Sequence, residues 1–162
     1  MLQTPKFLTK EIAEEAVRSA LLVLNSLTLA KPKRPQLHII VIVQARSMDD
    51  SVRLHSHVLL EHSTCPTEEF EYPFHEIAES KAWQLWEGRS NGGTDILPHL
   101  LFPGDSPYWG GVSRDAIVVA CSGIEPWLDR MIAGIVADTM IALAYDAWMT
   151  SEDKKEGVNH LT

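Results

Sequence analysis

The stretch Asp115–Trp148, DAIVVACSGIEPWLDRMIAGIVADTMIALAYDAW, constrains the fold of this chain more than any other. Ala116 to Cys121 is a short, β-branched apolar run, the signature of a buried strand. Ser122-Gly123 supplies a tight turn, which Ser122 is expected to cap and where Gly123 tolerates backbone angles other residues avoid. Pro126 suits a first helical turn, where its missing N–H costs nothing. From Trp127 to Trp148, apolar side chains occupy well over half of the helix circumference. A helix of that kind needs cover on two sides. The sheet supplies one, and a second copy of the chain, most simply through a two-fold axis, supplies the other. The block therefore predicts a homo-oligomer, a dimer or higher, and names no chemistry.

A chain of 162 residues with 45% hydrophobic content forms one ordinary domain with a real core. The net charge of -8 and pI near 5.3 leave no basic cluster beyond Lys31–Arg34, so nucleic acid and anionic membrane are not expected partners. Cys65 lies in a polar loop and Cys121 in the apolar strand, which points to a reducing compartment. Met1 to Lys10 lacks the apolar core of a signal peptide, and Asp138 and Asp146 interrupt the longest apolar run. A soluble cytoplasmic protein is expected.

Thr9 caps a first helix whose apolar face is Ile12, Ala13, Ala16, Val17, Ala20, Leu21, Leu24 and Leu27. Leu37–Val43 reads as a strand buried on both faces, and Arg46–Asp50 as a hairpin turn. The next strand alternates Val52, Leu54, Val58 and Leu60 on one face with His55 and His57 on the other. Phe74–Arg89 is a second helix, ended by Ser90-Asn91-Gly92-Gly93. Thr94–Gly111 is an irregular Pro/Gly-rich loop, long enough to suggest a functional or interface role, with a further strand inside Thr94–Leu101 left open. Residues 1–150 form the domain, and Ser151–Thr162 reads as a mobile tail. This order implies a mixed α/β sandwich with a mainly antiparallel sheet flanked by helices.

Three segments carry a resemblance. The hairpin IIVIVQARSMDDSVRLHSHV follows a helix; the helix HEIAESKAWQLWEGRS holds an Ala-x-x-Lys-Ala pattern at Ala78–Ala82; and GGVSRDAIVVACSGIEPWLDRMIAGI joins Gly-Gly-Val, a strand ending in Ser-Gly, and a helix with an acidic opening. Together they resemble the GlcG/HbpS-like family of haem-binding or haem-degrading-domain proteins over most of Thr9–Ala144. The interval from Gly110-Gly111 to Ser122-Gly123 is shorter than that family's hairpin, so a trimmed or displaced strand is expected there. The turn between the first two strands lacks the family's glycines. The resemblance implies a profilin-like α/β/α fold and a homo-oligomer, with haem or a related tetrapyrrole as the ligand in some members.

His75 is the leading ligand candidate: His75, Glu79, Ala82 and Trp86 share one helical stripe, and an imidazole beside an apolar wall suits an axial haem ligand. The alternative is a histidine that hydrogen-bonds locally. Lys81, Trp83 and Arg89 suit recognition of a propionate or another carboxylate, Arg89 through paired N–H groups, or else simply cover a helix surface. Trp83 and Trp86 point to different sides of that helix. His55 and His57 share a strand face near His62 and Glu61, yet no third ligand stands at a recognisable spacing, so no zinc is expected. Asp129 favours the helix dipole and needs no other role. No G-x-S-x-G, P-loop, G-x-G-x-x-G or C-x-x-C-H occurs, and no residue is assigned as catalytic.

Three functional readings stand. The first is a small oligomeric protein binding a tetrapyrrole or other small ligand near the second helix and the Pro/Gly-rich loop. The second is a non-catalytic structural or interaction protein. The third is an enzyme acting on a small organic acid through a pair such as His75 and Glu79.

Overall fold

Two uninterrupted apolar runs become the central strands of a sheet that is covered on both faces. The computed structural model describes residues 1–49, 53–90 and 95–162. Its elements are β1 (Leu2–Gln3), α1 (Lys10–Ser26), β2 (His38–Ser47), β3 (Leu54–Ser63), α2 (Phe74–Trp86), β4 (Gly111–Arg114), β5 (Ile117–Ser122), α3 (Pro126–Thr150) and α4 (Glu152–Glu156). Ile39, Val41, Val43, Ile117, Val119 and Cys121 face α1 and α3, whereas Ile40, Ile42, Val118 and Ala120 face α2. Side chains alternate across a strand, so a run apolar at every position requires a helical layer on each side.

All strand pairs are antiparallel, giving a five-stranded sheet in a mixed α/β fold. The main order is β3-β2-β5-β4. Arg46 pairs with Leu54 on one side and with Gln3 on the other, so β1 continues along β2 beyond the end of β5. The alanines Ala13, Ala16 and Ala20 on the buried face of α1 let that helix lie close against α3.

Several boundaries depart from the sequence reading. β2 extends to Ser47, so Arg46 and Ser47 are strand residues rather than turn residues; Asp50 and Val52 lie outside the described residues. The register shifts between Val41 and Ile42, whose partners are Leu60 and Val58. A bulge of this kind turns the strand's faces over. Val58 consequently packs with the α2 layer and Leu60 with the α1/α3 layer, not on one face as the alternation suggests.

α2 stops at Trp86, three residues before its expected end. Gly88 adopts φ +72, its N–H donates to the Leu85 carbonyl, and the Arg89 N–H donates to the Gln84 carbonyl. That is a Schellman cap, so Gly88 does the work expected of Asn91-Gly92-Gly93, which lie outside the described residues. Among the described residues, Asp95–Leu101 contains no strand. Ile96 makes a single bridge to Ser90, and Pro98–Leu100 is one 3₁₀ turn.

The periodicity reading placed no strand directly before Ile117, although the resemblance implied a trimmed or displaced one between Gly110 and Ser122. β4 is that strand, four residues long, joined to β5 by Asp115-Ala116. Both turn residues have positive φ, 44° and 65°, the arrangement of a type I′ hairpin. Ala116, expected to open the strand, is thus a turn residue. Ser122 is likewise not a helix cap: it pairs with His38 inside the sheet, and the residue preceding α3 is Glu125. The segment expected as a tail carries α4, and its Asp153 bonds Lys6 and Thr162.

α3 is the helix the sequence singled out. Its 25 residues span roughly 37 Å, against roughly 20 Å for β5, so the helix overshoots the sheet. Leu128, Ile132, Ala133, Val136, Ala137 and Met140 are buried. Trp127, Ile141, Tyr145 and Met149 are exposed, Trp127 at 60% and Tyr145 at 66%. By length and composition α3 would also pass for a membrane span, as core helices of soluble proteins do.

Candidate functional site

The polar centre of the molecule is set by two helical stripes. Ala78, Lys81, Ala82 and Leu85 recur at the spacing that places one face of α2 on the sheet, so Lys81 is carried inward with them. Leu128, Asp129, Ile132 and Val136 do the same on α3. The two charged side chains meet, 4% and 3% exposed, with Lys81 Nζ 3.5 Å from Asp129 Oδ2. Lys81 Nζ also donates to the Cys121 carbonyl at 2.9 Å, and Asp129 Oδ1 accepts the Ile124 N–H at 3.4 Å.

Gly110 makes this meeting possible. Its φ is +137°, and a Cβ there would stand 2.7 Å from Asp129 Cβ and 3.1 Å from Lys81 Nζ. The Gly110 carbonyl accepts the Cys121 N–H, which fixes it beside the pair. Two of the three segments that carried the resemblance meet here: Ala-x-x-Lys-Ala supplies Lys81, and the segment from Gly-Gly-Val through the strand, turn and helix supplies Gly110, Cys121 and Asp129.

Electrostatics follow from burial. Desolvation lowers the pKa of the Lys81 ammonium, opposed by the Asp129 charge. Desolvation raises that of Asp129 from 3.8 to about 7, with Lys81 pulling the other way. Both shifts favour the uncharged forms. The Cys121 thiol is pushed up by the same burial.

The loop 95–110 roofs this centre. Arg89 donates to Asp105 and to the Leu100 carbonyl, and its guanidinium lies over the Phe102 ring. Asp105 also accepts the Phe102 N–H at 2.7 Å. Its hydrogen bond from Arg89 holds its carboxyl below the usual range. Gln84 exchanges two hydrogen bonds with the Ser106 backbone, at 2.9 and 3.1 Å. Beneath this latch lies a crevice of about 10 Å³, lined by Lys81, Gln84, Ser90, Tyr108 and Gly110 among others. That is space for one water molecule. Ser90 Oγ is buried there without a hydrogen-bond partner among the described residues.

The five ligand candidates are not one constellation. Lys81 faces the crevice and is buried, so it does not cover the helix surface. Arg89 is committed to the latch. Glu79 is exposed, and Trp86, like Trp83, is half-buried against the α2 layer of the core. His75 lies near the other end of α2, about 16 Å from Trp86 along the helix. Its ring stacks on Phe70 and meets the His38 ring edge-on, with centroids 6.1 and 6.3 Å apart. Its Nδ1 is buried without a partner.

Sequence reasoning missed Asp129, Ser90, Gly110 and His38. Asp129 was legible as a charge on a core stripe. His38 is buried, with Nδ1 2.6 Å from Ser63 Oγ and Nε2 3.2 Å from Glu61 Oε1; desolvation lowers its pKa. Among the described residues, no group of three or more His, Cys, Asp or Glu is arranged to hold a metal. A larger open groove of about 480 Å³ runs between the end of α1 and the start of α3, with apolar walls at Leu21, Leu24, Leu37 and Ile124. Lys33 and Arg34 border it, already paired with Glu125 and Glu71.

Comparison with known proteins leaves this geometry to stand alone: no family model, no curated protein and no solved structure matches the chain.

Proposed function

We propose that this chain is a small-ligand-binding protein whose site is the crevice between α2 and the loop 95–110, and that its ligand is a small oxygen-rich molecule, a short carboxylate or carbonyl compound. The observation that carries this reading is the Lys81 amine. It is buried with a single carboxylate at 3.5 Å, and it lines the same crevice as the unpartnered Ser90 hydroxyl. A buried cation and a buried orphan donor are each costly, and a ligand carrying acceptor oxygens offsets both costs. The Arg89–Asp105 latch is the point at which the site would open, because its two half-buried side chains join the loop to the end of α2. We extend the proposal to a GlcG/HbpS-like protein with a profilin-like arrangement of the layers, and to a homo-oligomer formed through the exposed side of α3. Thermal-shift and calorimetric titration with short carboxylates and 2-oxo acids tests the site. Saturable binding that Asp105→Asn alters supports it, and no binding to any of them removes it.

A second reading is a haem or related tetrapyrrole contacted by His75. It is favoured by the buried, unpartnered Nδ1 and by the aromatic wall of Phe70. Haem would supply a ligand-exchangeable iron, and His75 would offer it a nitrogen. A Soret shift on adding haemin, lost in His75→Ala, supports this reading; a spectrum unchanged by His75→Ala excludes that role.

A further inference from the structure

We propose that Lys81 is a nucleophile that forms an imine with a small carbonyl compound, an aldehyde or a short 2-oxo acid, admitted beneath the loop 95–110. The inference rests on the ligand-binding reading of the same crevice and gives it a chemistry. Three features of the site carry it. The amine lines the crevice and is 4% exposed. Its carboxylate neighbour is 3.5 Å away, near enough to exchange a proton and too long for a tight ion pair. The Ser90 hydroxyl in the same crevice has no partner of its own.

A nucleophilic lysine must be neutral, and this surrounding favours that state. Moving one proton from the Lys81 ammonium to the Asp129 carboxylate replaces two buried charges by two uncharged groups. Burial pushes both groups in that direction, lowering the ammonium pKa and raising that of the acid. The other ionisable groups acting on the pair are Cys121, whose thiol burial keeps neutral, and Glu125, whose charge adds to the rise of Asp129.

The reaction then balances without oxidant or reductant. The Lys81 Nζ lone pair attacks the carbonyl carbon and forms the C–N bond. The carbonyl π pair moves to oxygen, which takes the proton held by Asp129. The nitrogen returns a proton to Asp129, leaving a carbinolamine. Asp129 then protonates the hydroxyl, the C–O bond breaks, and water departs as the nitrogen lone pair forms the C=N bond; the iminium so formed returns its N–H proton to Asp129. One amine and one carbonyl become one imine and one water. Ser90 is placed to donate to a second oxygen of the substrate, such as the carboxylate of a 2-oxo acid. A crevice that holds one water when latched selects a short substrate.

The test uses the full chain, wild type and Asp105→Asn, with pyruvate and sodium cyanoborohydride at pH 7, followed by peptide mapping; thermal shift with pyruvate alone runs in parallel. An ordinary lysine keeps roughly 1 amine in 2,500 unprotonated at that pH. Lys81 should therefore be labelled at least about 10-fold faster than Lys33 and Lys155, which stand on the surface. Asp105→Asn should accelerate labelling at Lys81 and leave it unchanged elsewhere. Label confined to surface lysines in both proteins overturns the imine chemistry and makes the Lys81–Asp129 pair a structural tie. If pyruvate still shifts the melting temperature in that case, the binding reading survives; if it does not, both fall.

Discussion

The Lys81–Asp129 pair predicts an unusual dependence of stability on pH, isolated by Asp129→Asn. Asp129 titrates near 7 in the folded protein and near 3.8 in the unfolded chain. A carboxyl raised on folding contributes stability that is present below the unfolded pKa and lost as pH rises through the folded one. At ~1.4 kcal/mol per pH unit, the full loss is about 4 kcal/mol, and the part falling between pH 5 and pH 8 is about 2.5 kcal/mol. Asparagine has nearly the same shape and does not titrate. Its variant should therefore gain about 2.5 kcal/mol on wild type between those two pH values, whatever the constant offset between them. Lys81, deprived of its partner, titrates lower still in the variant, which adds to the gain with the same sign. His38 has the opposite slope: its lowered pKa costs stability as pH falls, in both proteins alike, and it cancels from the difference. Urea unfolding of the two proteins at pH 5, 6, 7 and 8 measures the quantity. A difference constant to within about 0.5 kcal/mol, or a variant that loses ground as pH rises, would refute a desolvated Asp129.

Gly110→Ala should destabilise by about 3 kcal/mol, from a positive φ and a Cβ driven against the stem of Asp129, and denaturant midpoints at constant slope would register it. Ala116→Gly should raise stability by up to about 1 kcal/mol, because glycine relieves the positive φ of the type I′ turn; a decrease in midpoint would contradict that hairpin geometry. Sedimentation velocity at micromolar concentration should show a dimer or larger closed assembly, weakened by Tyr145→Glu on the exposed side of α3, and a clean monomer would mean that this face stays in water. Arg89→Ala should speed amide exchange across Phe102–Ser106 without affecting β2; equal protection in both proteins would show that Gln84 alone holds the loop.

The sequence by itself determined the layers. Runs apolar at every position, Ile39–Val43 and Ile117–Cys121, read as strands covered on both faces, and the apolar stripe of α1 names residues that cover one of those faces. Periodicity is a local property and survives reading one residue at a time. Boundaries were less legible where one residue decides: Gly88 stops α2 by taking a left-handed turn ahead of the richer Gly-Gly signal, and one bulge in β3 sends Val58 and Leu60 to opposite faces. The site was legible only in fragments. Lys81 sits on a core stripe of α2 and Asp129 on a core stripe of α3, and each reads alone as a surface or dipole residue. Only the tertiary structure brings them to one place beside Gly110, because the pairing joins elements on opposite faces of the sheet. Charge placement within a helix is written in the sequence; the partner that makes a buried charge tolerable is chosen by how the layers close.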